Sequence, residues 1–147
     1  MDLRAMSYAR GGVLAMGVLY DYFRAADDAA AVRLMDELDG GPVAVSGDGP
    51  AVDAIDLKGI DPAVVLGQLV SFVRGADWRV DTIVSGLLWS GDEQEGPRLV
   101  SIDCATRDTL ASIDDAQVPG LPVIEQIAAL ARRARDAGEN LYCWCCL

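Results

Sequence analysis

The side chains with the most chemical potential in this chain are four thiols. Cys143, Cys145 and Cys146 crowd its last positions, and Cys104 stands apart. Thiolates bind zinc in sets of four, and a thiol beside a cation becomes a nucleophile. The spacing argues against both uses. Structural zinc sites present paired C-x-x-C knuckles, and the sequence contains none. On a strand, Cys143 and Cys145 share one face and Cys146 takes the other, so the three converge only if the strand breaks. Oxidising the adjacent pair Cys145 and Cys146 closes a strained ring, and no cation lies in the tail to lower a thiol pKa. A lone nucleophile at Cys104 would need Asp103 as its base. The preferred reading is four reduced, small apolar residues packed in a core. A thiol- or metal-dependent enzyme built on Cys104, Cys143, Cys145 and Cys146 is the alternative.

Histidine is absent from the chain, which removes Ser-His-Asp and Cys-His mechanisms, imidazole metal sites and the commonest general base near neutral pH. No G-x-x-x-x-G-K-S/T or G-x-G-x-x-G loop is present to cradle a phosphate. Carboxylates are plentiful: Asp53, Asp56 and Asp61 before a central helix, Asp92, Glu93 and Glu95 in a loop, and Asp114 with Asp115 after another helix. Glycosidase or hard-metal chemistry requires several of them in one cleft, whereas Asp61 and Asp103 already have capping positions. They read as a solvated surface. Trp78, Trp89 and Trp144 with Tyr20 and Tyr22 carry rings of the kind that line a pocket and dominate hot spots, although core packing is the preferred reading for them. Trp78 and Trp89 with Asp92, Glu93 and Glu95 of the surface loop are the candidate binding edge. No cofactor is implied.

The 147 residues carry 23 acidic and 12 basic side chains, a net charge of -11. Such a surface repels phosphate backbones and anionic membranes, so nucleic acid and membrane are not expected partners, while a basic protein is. Homodimerisation through the last strand or the aromatic surface is a further alternative. Of the basic residues, all but Lys58 are arginine, a usage typical of GC-rich bacterial genomes. With 52% hydrophobic and 24% charged residues, the composition is that of a globular domain, and a domain of this length buries roughly 70% of its unfolded surface. No run approaches the roughly 20 apolar residues of a membrane-crossing helix. Arg4 and Arg10 before Gly11–Tyr20 imitate a signal peptide faintly, but the run is short, Gly-rich and stopped by Asp21. A cytoplasmic protein is expected, with residues 1–15 as a loose extension and 16–147 as one domain.

These residues must be positioned by a limited set of elements. Met16–Phe23 favours a strand; Asp27 or Asp28 caps a helix with Val32, Met35 and Leu38 on one face, ended by Gly40 and Gly41. Pro42–Ser46 is a short strand candidate, and Gly47–Pro50 a turn. Ala51–Leu57 alternates weakly. Asp61 and Pro62 are two independent start signals for a helix over Pro62–Arg74, apolar nearly all round, which predicts the buried centre of the domain. Leu87–Trp89 suits a strand, Gly91–Pro97 a surface loop and Arg98–Ile102 another strand. Asp103 caps a helix over Cys104–Ile113. A helix over Pro122–Ala137 follows the turn at Pro119 and Gly120, with Ile124, Ile127, Ala128, Ala131 and Ala134 inward. Arg132, Arg133 and Arg135 complement its dipole. Leu141–Leu147 is a buried strand. Strands interleaved with helices at irregular spacing predict an α+β domain: a mixed sheet of about four to five strands with three to four helices.

Three segments together resemble the YfbM-like family of small uncharacterised bacterial proteins: MGVLYDYFRAADDAAAVRLM at 16–35, IDLKGIDPAVVLGQLV at 55–70 and ALARRARDAGENLYCWCCL at 129–147. The resemblance spans most of 16–147 and implies an α+β fold without an established reaction. Family members often carry a Trp-His pair near the central helix. Here Gly59 and Ile60 stand at that place, so activity resting on that pair is not implied. The sequence reading is therefore a non-catalytic protein-binding module, immunity-like or regulatory, for a basic partner.

Overall fold

In the computed structural model of the chain, which describes residues 19–44, 52–77, 84–91, 96–114 and 121–146, nine elements follow in order: β1 (Leu19–Ala25), α1 (Asp28–Glu37), β2 (Ala54–Asp56), α2 (Val65–Arg74), β3 (Val84–Ser90), β4 (Arg98–Ile102), α3 (Cys104–Ala111), α4 (Pro122–Ala137) and β5 (Asn140–Cys146). The strands form one sheet of order β2-β1-β5-β4-β3. The last strand in sequence is therefore the middle one in space, which is why so apolar a segment as LYCWCC can be a strand: both of its faces are covered.

The fold is α+β, as the interleaved elements predict. Every pairing is antiparallel, however, where a mixed sheet was expected. The connection from β4 to β5 supplies the reason. Two helices in succession, α3 and α4, carry the chain out and back, so β5 starts at the end where β4 stopped and runs antiparallel to it.

Strand alternation sorts the core into two layers. Tyr22, Leu141 and Cys143 face α2, α3 and α4, where they meet Leu66, Val70, Leu110, Ile127 and Leu130. Phe23, Tyr142 and Trp144 face α1, where they meet Ala31, Leu34, Met35 and Val43. Phe23 and Tyr142 stack across the strand pair with centroids 5.6 Å apart. The buried face of α1 is thus Ala31, Leu34 and Met35, with Val32 and Leu38 only partly covered.

The helix boundaries follow their caps. Asp27 accepts from the Ala30 amide at 2.8 Å, and Asp103 from the Thr106 amide at 2.6 Å. Gly75 and Gly138 close α2 and α4 in the left-handed conformation. Arg132 does not serve its own helix dipole. Its guanidinium donates to the carbonyls of Ala111 and Ile113, satisfying the end of α3.

Two expectations fail for physical reasons. Residues 42–44 are not a strand: the amides of Val43 and Ala44 both donate to Asp21 Oδ2 at 2.9 Å, so a buried carboxylate takes the place of a partner strand. Nor is α2 the buried centre. It lies at the periphery, burying Leu66, Gly67, Val70 and Ser71 while Phe72 stands 71% exposed. The loose extension at 1–15, the start of the first strand at Met16, the turn at 47–50 and the turn at 119–120 lie outside the described residues.

Candidate functional site

The cysteine alternative can be followed atom by atom. On β5, Cys143 points into the layer under α3 and α4, and Cys146 packs on the opposite one, the alternation expected of an unbroken strand. Cys143 is completely buried, and burial pushes its thiol well above the ordinary range. Burial likewise raises Cys145, with Arg98 opposing it more weakly. Both shifts favour the inert thiol over the thiolate. Cys104 lies elsewhere, exposed at the start of α3, with its Sγ 3.2 Å from Asn140 Oδ1. Among the described residues no three Cys, Asp or Glu side chains gather as a ligand set. The geometry does not bring Cys104 to the other three.

Of the proposed binding edge, Trp78, Asp92, Glu93 and Glu95 lie outside the described residues. Trp89 sits on the edge strand β3, half buried, in an open recess of about 380 Å³ with Met35, Asp36, Asp39, Gly40, Gly91 and Pro97. The recess is shallow and mixed in polarity. Asp53 belongs to a structural ion cluster: Arg133 grips it through both carboxylate oxygens at 2.6 and 2.9 Å, and Arg24 reaches it at 2.6 Å and also pairs with Glu139. Arg133 above all holds the Asp53 carboxyl below its usual range. With two arginines and two carboxylates pairing with one another, this cluster ties β1 and α4 to the approach of β2, and Arg24, Asp53 and Glu139 also line a small open recess of about 240 Å³.

The feature that stands out is apolar. Between the first half of α2 and the first turns of α4 runs a groove of about 270 Å³, lined by Ile60, Val65, Leu66, Leu69, the segment 121–124 and Ile127. Among the described elements, α2 packs chiefly on α3, and the groove lies along its other side. The local sequence builds each wall. Asp61 takes the amides of Val64 and Val65 at 2.7 and 3.1 Å, while the Leu66 amide reaches back to the Asp61 carbonyl at 3.0 Å. The first turn is therefore wide, and the regular helix starts at Val65, three residues beyond Pro62. Ile60 is fixed by the Tyr22 hydroxyl, which donates to its carbonyl from the central layer. On the other wall, Pro122 opens α4 and Glu125 lies in its positive first turn.

Val64, Val65, Phe72, Leu121 and Val123 are all exposed around this groove or on the helix face that continues it. Val65, Leu69 and Phe72 recur at i, i+4 and i+7, one continuous stripe. The sequence held the signal. A helix of ten residues at the edge of a small domain can bury one face only, so apolar residues all round it predict a surplus on the surface. Read as depth of burial, that surplus was missed. Among the described residues no helix is long and apolar enough to cross a membrane. Compared with protein-family models, with curated proteins and with solved structures, the chain finds no match in any of the three.

Proposed function

We propose that this chain is a non-catalytic protein-binding module, immunity-like or regulatory in kind, acting in the cytoplasm on a basic protein partner. The observation that carries the reading is the open apolar groove beside α2, on a chain whose net charge is -11. An apolar cleft with few polar groups can bury the anchors of another protein but offers nothing to polarise or protonate a substrate. The acidity then supplies steering, since a basic partner meets the chain faster than a neutral one and nucleic acid is held off. The YfbM-like resemblance agrees with such a role only in bringing no reaction with it.

The test is site-resolved crosslinking in the native cell. A photoreactive p-benzoylphenylalanine placed at Phe72 is compared with the same group at Leu87, which is exposed on β3 away from the groove. The expected result is one basic protein captured from Phe72 and not from Leu87. That protein, once purified, binds the wild-type chain and loses at least about tenfold in affinity against Val65→Asp. Equal capture at both positions, or a purified partner indifferent to Val65→Asp, overturns the reading.

A further inference from the structure

We infer that the occupant of the groove is a single amphipathic α-helix whose outer face is basic; this rests on the protein-binding reading above and specifies the partner's element. Four observations lead there. The first is size. At about 270 Å³ the groove lies at the small end of the roughly 300 to 1,000 Å³ typical of ligand pockets and is only half enclosed, a size that takes a few anchor side chains.

The second is the character of the walls. They are apolar side chains from Ile60 to Ile127, carried on α2, α4 and the residues that lead into them, with no strand edge among them to pair with an extended chain. An extended peptide laid there finds no strand edge to pair its amide and carbonyl groups, and burying such groups unpaired is unfavourable. A helix satisfies its own backbone before it docks, which leaves only side chains to be matched.

Spacing gives the third. Val65, Leu69 and Phe72 span eight residues of α2, about 10 Å at the rise of an α-helix; Val65 and Leu69 line the groove together with Leu121 and Val123, and Phe72 continues the stripe. Apolar residues at i, i+3 or i+4 and i+7 on an incoming helix repeat over the same length.

Charge gives the fourth. The described carboxylate placed at the groove is Asp61, whose oxygens lie against the amides of Val64 and Val65 at its rim, on a chain of net charge -11. Lysine or arginine flanking the apolar anchors of the incoming helix meets negative charge there, whereas a second copy of a chain carrying -11 meets like charge.

The experiment uses the full chain and three fluorescent peptides: an amphipathic Leu/Lys helix, the same helix with Glu for Lys, and a strictly alternating Leu/Lys peptide that favours strand. Anisotropy titrations should show the Leu/Lys helix binding at least about tenfold more tightly than either other peptide. Phe72→Ser and Val65→Asp, both at exposed positions and therefore expected to keep the fold by circular dichroism, should weaken it at least about tenfold. Leu87→Asp should leave it unchanged. Comparable binding of all three peptides, or binding that salt abolishes but Val65→Asp does not touch, overturns the inference in favour of diffuse charge attraction. A dimer in sedimentation that Val65→Asp dissociates overturns it in favour of a second copy. If the partner crosslinked at Phe72 is real but the Leu/Lys helix neither binds nor competes with it, the helical basic occupant is wrong while the protein-binding reading stands; if no groove-dependent partner exists either, both fall.

Discussion

The indole of Trp144 donates to the carbonyl of Gly40 at 2.8 Å, and its ring lies so close to Gly41 that a Cβ there would stand 2.4 Å from the indole. The middle strand of the sheet is thereby locked to the loop that ends α1. Gly41 also has a φ of +93°, a conformation L side chains rarely adopt. Gly41→Ala should therefore cost about 3 kcal/mol or more, combining overpacking with backbone strain. Gly138→Ala is the control. It has positive φ but open space around its Cβ position, and should cost only about 1 to 2 kcal/mol. Urea unfolding of the two variants checks the difference.

Asp21 should make the protein more stable in mild acid than at neutrality, as far as this one group is concerned. It is only 3% exposed, and burial raises its pKa above the ordinary carboxylate value, with the Val43 and Ala44 amides opposing the shift. A carboxyl that holds its proton more tightly when folded favours the fold at low pH, and the benefit is lost as pH rises from the unfolded value through the folded one. Asp21→Asn keeps an oxygen for both amides without the charge. Its stability at neutral pH should equal or exceed wild type, whereas Asp21→Ala, which orphans both donors, should lose about 2 kcal/mol or more. Thermal unfolding across pH separates the two variants.

Asp53 should act in the opposite sense. Its pKa is lowered in the fold, first by Arg133, so the stability it brings is present above the unfolded value of 3.8 and fades as pH falls through the depressed folded value. Because the carboxylate is about a quarter exposed, solvent screens the cluster. Asp53→Asn should cost about 1 kcal/mol at neutral pH, less in high salt, and almost nothing once the wild-type carboxylate is protonated. Denaturant titrations at neutral and strongly acidic pH, each with and without salt, provide the check.

Thr106 carries its own prediction. Its amide is capped by Asp103, but its Oγ1 is buried with no hydrogen-bond partner. Thr106→Val removes that hydroxyl at nearly constant shape and should leave stability unchanged or raise it by about 1 kcal/mol. A clear loss in urea unfolding would show that the hydroxyl is satisfied in solution.

Thiol reactivity gives a map of the same core. Native alkylation followed by peptide mass mapping should modify Cys104 first and Cys143 last, the latter only as fast as the protein opens. Rapid labelling of Cys143 would revive the thiol-enzyme alternative.

Local chemistry was legible in the sequence wherever a few neighbouring residues decide the outcome. Arg98–Ile102 is a strand, Asp103 caps the helix after it, Pro122 opens α4 and Gly138 closes it, all at the expected residues. Alternation along β5 by itself separates Cys143 from Cys146, and the two pack in opposite layers. These features depend on caps, on proline and glycine stereochemistry and on the two-residue period, and all of those act within one element. Tertiary structure alone decided the rest. That the last strand takes the centre of an antiparallel sheet, that Val43 and Ala44 bind a carboxylate in place of a strand, and that Arg132 caps α3 all depend on partners distant in sequence. The groove belongs to the same class. Val65 and Phe72 differ from Leu66 and Val70 only in the direction they face, and whether a helix face meets a neighbour or water depends on where the other helices stop. Hydrophobicity fixed how much surface this chain wants to bury, and the packing of α2 on α3 determined which part of it was left over for something else.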